Sequence, residues 1–178
     1  MSLQRYCKSA LIGVAAACSI SVTANAGEAR YFKSVEGNWS GPGSIVAGKY
    51  KGTKFFCNFK GSSINRRTGM DISGTCRVGV FTQKMSAKVY RSGRSYRGQF
   101  LDGAKGKGLD IVSGRLSGKR LIVGINRKQL KGAMVANLKN NNRLNLTISV
   151  RVSGELIPVI GITLDRKNAR ARKTAFND

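Results

Sequence analysis

Phe55-Phe56-Cys57-Asn58-Phe59 and, beyond a polar loop with glycine, Ile72-Ser73-Gly74-Thr75-Cys76-Arg77-Val78-Gly79-Val80-Phe81 decide how this chain folds. Placed as antiparallel strands with Cys57 opposite Cys76, they set Phe59 across from Gly74 and Phe55 across from Val78. Side chains alternate along a strand, so Phe55, Cys57, Phe59, Ile72, Cys76, Val78 and Val80 fall on one face. Lys54, Asn58, Lys60, Ser73, Thr75 and Arg77 fall on the other, with Phe56 and Phe81 as exceptions. A dry face and a cysteine pair thus specify the same register.

The same ribbon continues in both directions. Upstream, Gly37-Asn38-Trp39-Ser40-Gly41-Pro42-Gly43 leads into a first strand at 44–46, and a reversal at Gly48 leads to 53–59. Residues 28–33 read as an entry segment. Downstream, 85–90 alternates, 91–94 turns, and 96–100 returns with Tyr96 and Phe100 on one face. A glycine- and lysine-rich loop follows over 102–108. Residues 109–116, 121–125 and 132–138 read as further strands, with the turn Ser117-Gly118-Lys119-Arg120 between the first two. Asn140-Asn141-Asn142 suits left-handed backbone. Leu144, Leu146, Ile148, Val150 and Val152 then alternate with polar residues, the clearest half-buried strand in the chain. A last run, 156–164, contains Pro158, which belongs at an edge or an irregularity of a sheet.

No stretch holds a helical period over three turns. The expected fold is therefore all-β, an antiparallel up-and-down meander of about 8–10 strands. A small closed barrel is favoured over a β-sandwich because closure leaves no exposed strand edge. A transmembrane barrel needs an uncharged lipid-facing surface, and Lys54, Lys60, Arg77, Lys88 and Arg97 stand on outward faces.

The two ends read differently from the middle. Arg5 and Lys8, the apolar run 10–20 and the small-residue site Ala24-Asn25-Ala26 have the form of a cleaved secretory signal peptide. Residues 1–26 are therefore expected to be removed, 27–164 to form a single domain, and 165–178 to be a flexible basic tail. A lipoprotein signal at Cys18 asks for a larger aliphatic residue where Ala15 stands. Cleavage also removes Cys7 and Cys18 and leaves Cys57 and Cys76 as the only pair. Export permits a disulfide between them. Eighteen residues lie between the two cysteines, so closing that loop contributes about 3 kcal/mol in the chain-entropy view. The expected location is periplasmic or secreted.

The whole chain carries a net charge of +24, with 32 Lys and Arg against 8 Asp and Glu. Without Arg5 and Lys8, 30 bases face those 8 acids, and the mature charge is +22 over 152 residues. A field of that sign attracts anions and opposes self-association. In a cell envelope the available anions are phosphorylated glycolipid, anionic phospholipid and acidic glycan. Nucleic acid is compatible with the charge but scarce in such a compartment. Arg66, Arg67, Lys105, Lys107, Lys119, Arg120, Arg127, Lys128 and Lys131 cluster in loops and turns and are the candidate anion-binding residues.

Gly37-Asn38-Trp39, opening the first strand of an all-β meander, resembles the Gly-x-Trp opening of calycins, the lipocalin and avidin-like barrels. The resemblance implies that Trp39 packs across the barrel floor and that a small apolar ligand can sit above it. Phe55, Phe59, Tyr96 and Phe100 are expected beside Trp39 in the interior. The mature region also resembles small exported proteins of Gram-negative bacteria that have no assigned activity.

The inventory of reactive groups is short. Histidine is absent, which removes Ser-His-Asp and Cys-His nucleophiles, histidine bases and the usual zinc and haem ligands. Two cysteines without histidine complete no common zinc site. Glu36, Asp102, Asp110 and Glu155 read as turn or surface acids rather than a catalytic pair. The glycine loop 103–108 lacks the strand-to-helix context of a phosphate-binding loop. No cofactor and no metal are expected. The chain reads as a non-enzymatic exported barrel that interacts with an anionic envelope component or membrane surface. The alternative is a calycin-like carrier of an apolar small molecule. A third class, a protein inhibitor, is disfavoured against a basic target such as lysozyme by like-charge repulsion.

Overall fold

Ten strands follow one another around a closed barrel in a computed structural model that describes residues 23–101 and 108–167. They are β1 (Gly37–Ile45), β2 (Lys54–Ser63), β3 (Gly69–Val78), β4 (Phe81–Ser92), β5 (Ser95–Leu101), β6 (Leu109–Ser117), β7 (Arg120–Arg127), β8 (Leu130–Lys139), β9 (Arg143–Val152) and β10 (Glu155–Arg166). Each strand pairs antiparallel with the next, and β1 pairs with both β2 and β10, so no edge is left. The up-and-down barrel expected from the alternation is the fold observed. One helix, α1 (Thr23–Ser34), precedes it.

The register of β2 and β3 is the one set by the cysteines. Cys57 pairs with Cys76 and Phe59 with Gly74. Cys57 and Cys76 are joined by a disulfide, with their Cα atoms 4.1 Å apart. The expected strand over 72–81 is divided, however. β3 stops at Val78, Gly79 turns with φ 55°, and β4 starts at Phe81. Val78 and Val80, expected on the dry face, are 43% and 90% exposed. Past the end of the sheet there is no opposite wall to cover them.

Pro158 falls where β10 shifts register against β9, between Pro158 and Ile160. A proline has no N–H to give the ladder, and a bulge is where a closed sheet can accept one. Gly43 has a steric reason: a Cβ there would overlap the Phe55 ring on the neighbouring strand.

Two segments differ from expectation. Residues 28–33, read as an entry segment, are part of a helix. Tyr31, Phe32 and Val35 supply one apolar stripe about a turn long, too short to register as a sustained helical period. Asp165 and Arg166 continue β10 instead of opening a tail. Inward positions Ile160, Ile162 and Leu164 lead by twos to Arg166, which pairs with Trp39 of β1. The expected signal peptide lies largely outside the described residues, as do 168–178.

Core burial is concentrated at the end where α1 sits. Trp39, Met70, Val89, Tyr96, Leu121, Ala136, Leu138 and Leu164 are buried with Tyr31, Phe32 and Val35. This is the closed end. The opposite end carries the β1–β2, β3–β4, β7–β8 and β9–β10 reversals and is called the rim.

Candidate anion-binding site

The closed end is organised around an arginine that sequence pattern alone placed in a tail. Arg166 lies over the Trp39 ring, with its guanidinium carbon 4.2 Å from the ring centroid. It donates to the backbone carbonyls of Ser34 and Glu36 and, from Nε at 3.0 Å, to that of Asn141. The first two lie at the C-terminal end of α1, where helix carbonyls lack partners and a cation is favoured. Asn140 and Asn141 adopt φ of 50° and 57°, the left-handed turn that offers the third carbonyl. Trp39 Nε1 donates to Val35 O at 2.9 Å. Phe32 meets Tyr96 with ring centroids 5.8 Å apart, and Tyr31 Oη donates to Ala136 O at 3.5 Å. Trp39 therefore lies across the floor of the barrel, with α1 as the plug behind it.

Because Tyr31, Phe32 and Val35 face the barrel core, Arg30 and Lys33, three apart on α1, are left exposed. They border a crevice of about 520 Å³ whose other wall is the β2–β3 reversal, with Ser63, Arg66, Arg67 and Thr68. Arg66 turns the chain at φ 62°. Arg67 stacks its guanidinium on Tyr90, with the guanidinium carbon 5.0 Å from the ring centroid, an arrangement that holds the plane of the fork and leaves its edge for an anion. No carboxylate lines the crevice; Glu36, 2.9 Å from Lys33, is the nearby acid. Four cations with two hydroxyls form a set suited to a phosphate or carboxylate, since guanidinium forks match such anions with paired hydrogen bonds.

The expected anion-binding residues do not form one patch. Arg66 and Arg67 are in this crevice. Lys119 and Arg120 are also at the closed end, at the β6–β7 turn, but the β2–β3 reversal lies across the barrel from them. There Lys119 Nζ donates to Asn141 Oδ1 at 3.0 Å. Arg127, Lys128 and Lys131 are at the rim, around the β7–β8 turn, where Lys128 has φ 53°. Lys105 and Lys107 lie outside the described residues. Of the expected interior residues, Trp39 and Tyr96 are buried, while Phe55, Phe59 and Phe100 are half-buried. Arg30, Lys33 and Arg166 were not among the expected site residues. The i, i+3 pair opposite Tyr31, Phe32 and Val35 was the signal for the first two.

Most of the described acids already have cationic partners. Glu28 pairs with Arg91, Glu36 with Lys33, Asp71 with Lys88 and Asp165 with Arg143, while Asp110 and Glu155 are exposed. Among the described residues no three of histidine, cysteine, aspartate or glutamate come together. Burial pushes the Tyr31 phenol well above its ordinary range; at Tyr96 burial does the same, and Glu28 adds to it.

No protein-family model matches the chain, and no curated protein matches it. Among solved structures it is similar to the crystal structure of Rv2717c from M. tuberculosis, with a TM-score of 0.56. The alignment covers 79% of this chain and 98% of that one, at 10% sequence identity. The likeness is one of fold.

Proposed function

We propose that the protein is a non-enzymatic binding module of the cell envelope that takes an anionic component, a phosphorylated or carboxylated headgroup or glycan. One observation carries this reading: Arg30, Lys33, Arg66 and Arg67 converge on a single crevice that no carboxylate lines. The surplus of bases over acids in the whole chain supports it, as does the signal-peptide pattern. Cleavage after Ala26 leaves both Arg30 and Lys33 in place.

The test is calorimetric titration of the mature protein with lipopolysaccharide and with the soluble polyanion inositol hexakisphosphate. Affinity is expected to fall steeply between low salt and about half-molar salt, because exposed charges are screened within a few ångströms there. Arg66→Gln with Arg67→Gln is expected to weaken binding of both probes. Lys119→Gln with Arg120→Gln, across the barrel, is expected to leave it nearly unchanged. Equal losses from the two pairs, or indifference to salt, would overturn the crevice as the site.

A second reading, a calycin-like carrier of a small apolar molecule, has its own support. Ten strands enclose a wider interior than eight. Leu146, Ile148, Val150 and Ile160 point inward yet remain half-buried, and Trp39 provides the floor that the Gly-x-Trp resemblance implies. Quenching of Trp39 fluorescence by a fatty acid that persists in high salt would favour it.

A further inference from the structure

We infer that the rim of the barrel docks on the surface of an anionic phospholipid bilayer. The observation is a segregation of exposed apolar side chains to one end. Ten large hydrophobic residues are exposed among the described residues; nine lie within three residues of those rim reversals, and the tenth, Leu101, ends β5 at the same end of the barrel. The closed end shows none among the described residues. The most prominent are Val80 and Phe81 at the β3–β4 tip, 90% and 79% exposed, and Tyr50 in the β1–β2 loop, 64% exposed. Leu130 adds to them from the β7–β8 turn, and Val152 and Leu156 from the β9–β10 turn. Scattered single apolar residues on a surface need no explanation, but a ring of them at one pole does.

Cations are interleaved with that ring. Lys49, Lys51, Lys54, Arg77, Lys128 and Arg151 are exposed at the same end. Against them stand Asp110 and Glu155 among the described acids. Apolar tips with basic neighbours match the interface of an anionic bilayer. Valine, leucine and aromatic side chains enter the headgroup boundary there, while lysine and arginine stems extend to the phosphates. Each base near such a surface adds attraction, and that attraction is lost within a Debye length. A second copy of this chain fits the ring poorly, since two basic rims repel one another. The disulfide crosslinks β2 to β3 two residues before β3 ends, bracing the base of the most exposed tip.

This inference deepens the anionic-partner reading by naming a partner and a face, and it uses a different end of the molecule from the crevice. The test is co-sedimentation of the mature protein with vesicles of phosphatidylglycerol and phosphatidylcholine, beside vesicles of phosphatidylcholine alone. Binding is expected to the anionic vesicles. Val80→Ser with Phe81→Ser is expected to lower it about tenfold, in keeping with loss of interfacial burial at two large apolar side chains. Both positions are largely solvent-exposed, so that variant keeps its fold and its affinity for inositol hexakisphosphate. Vesicle binding unchanged in the variant overturns rim docking. If inositol hexakisphosphate still binds in that case, the anionic-partner reading stands and only the rim is refuted. Absence of vesicle binding has the same meaning. A wild-type dimer that Val80→Ser with Phe81→Ser dissociates would make the rim a self-interface and also overturn the proposal.

Discussion

The closed end and the rim of this barrel are made from the same kind of strands and end in opposite kinds of surface. At the closed end the inward alternation runs into a helix. Trp39, Tyr96 and Leu164 are almost fully buried, and Arg166 ties α1 to the last strand through backbone carbonyls. At the rim the same alternation runs out of the sheet, and Val78, Val80 and Val152 meet water. An inward register protects a side chain only while an opposite wall or a plug faces it. One end is thereby committed to stability, and the other is left free for contact.

The largest test of that contrast is at the floor. Trp39→Ala removes the side chain that α1 and Arg166 both pack against, and is expected to destabilise the fold by about 3–5 kcal/mol. Urea unfolding followed by far-UV circular dichroism measures it. A loss below about 1 kcal/mol would mean that the floor at Trp39 does not carry the stability assigned to the closed end. Next comes the disulfide, whose removal by Cys57→Ser with Cys76→Ser is expected to cost about 3 kcal/mol or somewhat less. The same unfolding measurement decides it.

A smaller effect separates the ends by pH. Tyr31 and Tyr96 at the closed end have folded-state pKa values raised above their unfolded value, which is near 10. The raised phenols keep their protons while the unfolded chain releases its own. Their contribution to stability is therefore complete below about pH 10 and declines as pH climbs beyond it. Tyr31→Phe and Tyr96→Phe are expected to flatten that alkaline decline in the urea midpoint. The smallest effect belongs to the rim itself. Val80→Ser is expected to change stability by no more than about 0.5 kcal/mol, which unfolding in urea can establish before any vesicle experiment.

Period-two alternation made most of this architecture legible. The cysteine register, the reversal at the three asparagines and the irregularity at Pro158 were all readable because each depends on near neighbours. The errors came where alternation continued past the structure it normally marks. Val78 and Val80 keep step with Cys76, yet Gly79 ends the strand between them. Arg166 keeps step with Ile162 and Leu164, and its charge argued for solvent although its place is against Trp39. Closure of the sheet is the other limit. Arg66 with Arg67, and Lys119 with Arg120, are both basic turns in the sequence. Which of them faces α1 follows from the strand order around the barrel, which a local pattern does not contain. Arg30 and Lys33 joined the site through a helix whose apolar stripe is only about one turn long.

Hydrogen–deuterium exchange of the mature protein, with and without phosphatidylglycerol vesicles, tests the contrast between the ends most directly. Slower exchange is expected at the rim reversals, Gly79 with Val80, Lys128 with Gln129, and Ser153 with Gly154. The closed-end turns at Gly93, Gly118 and Asn141 are expected to exchange as they do without vesicles. Slowing at the closed-end turns with the rim unchanged would contradict a barrel that is plugged at one end and meets the membrane at the other.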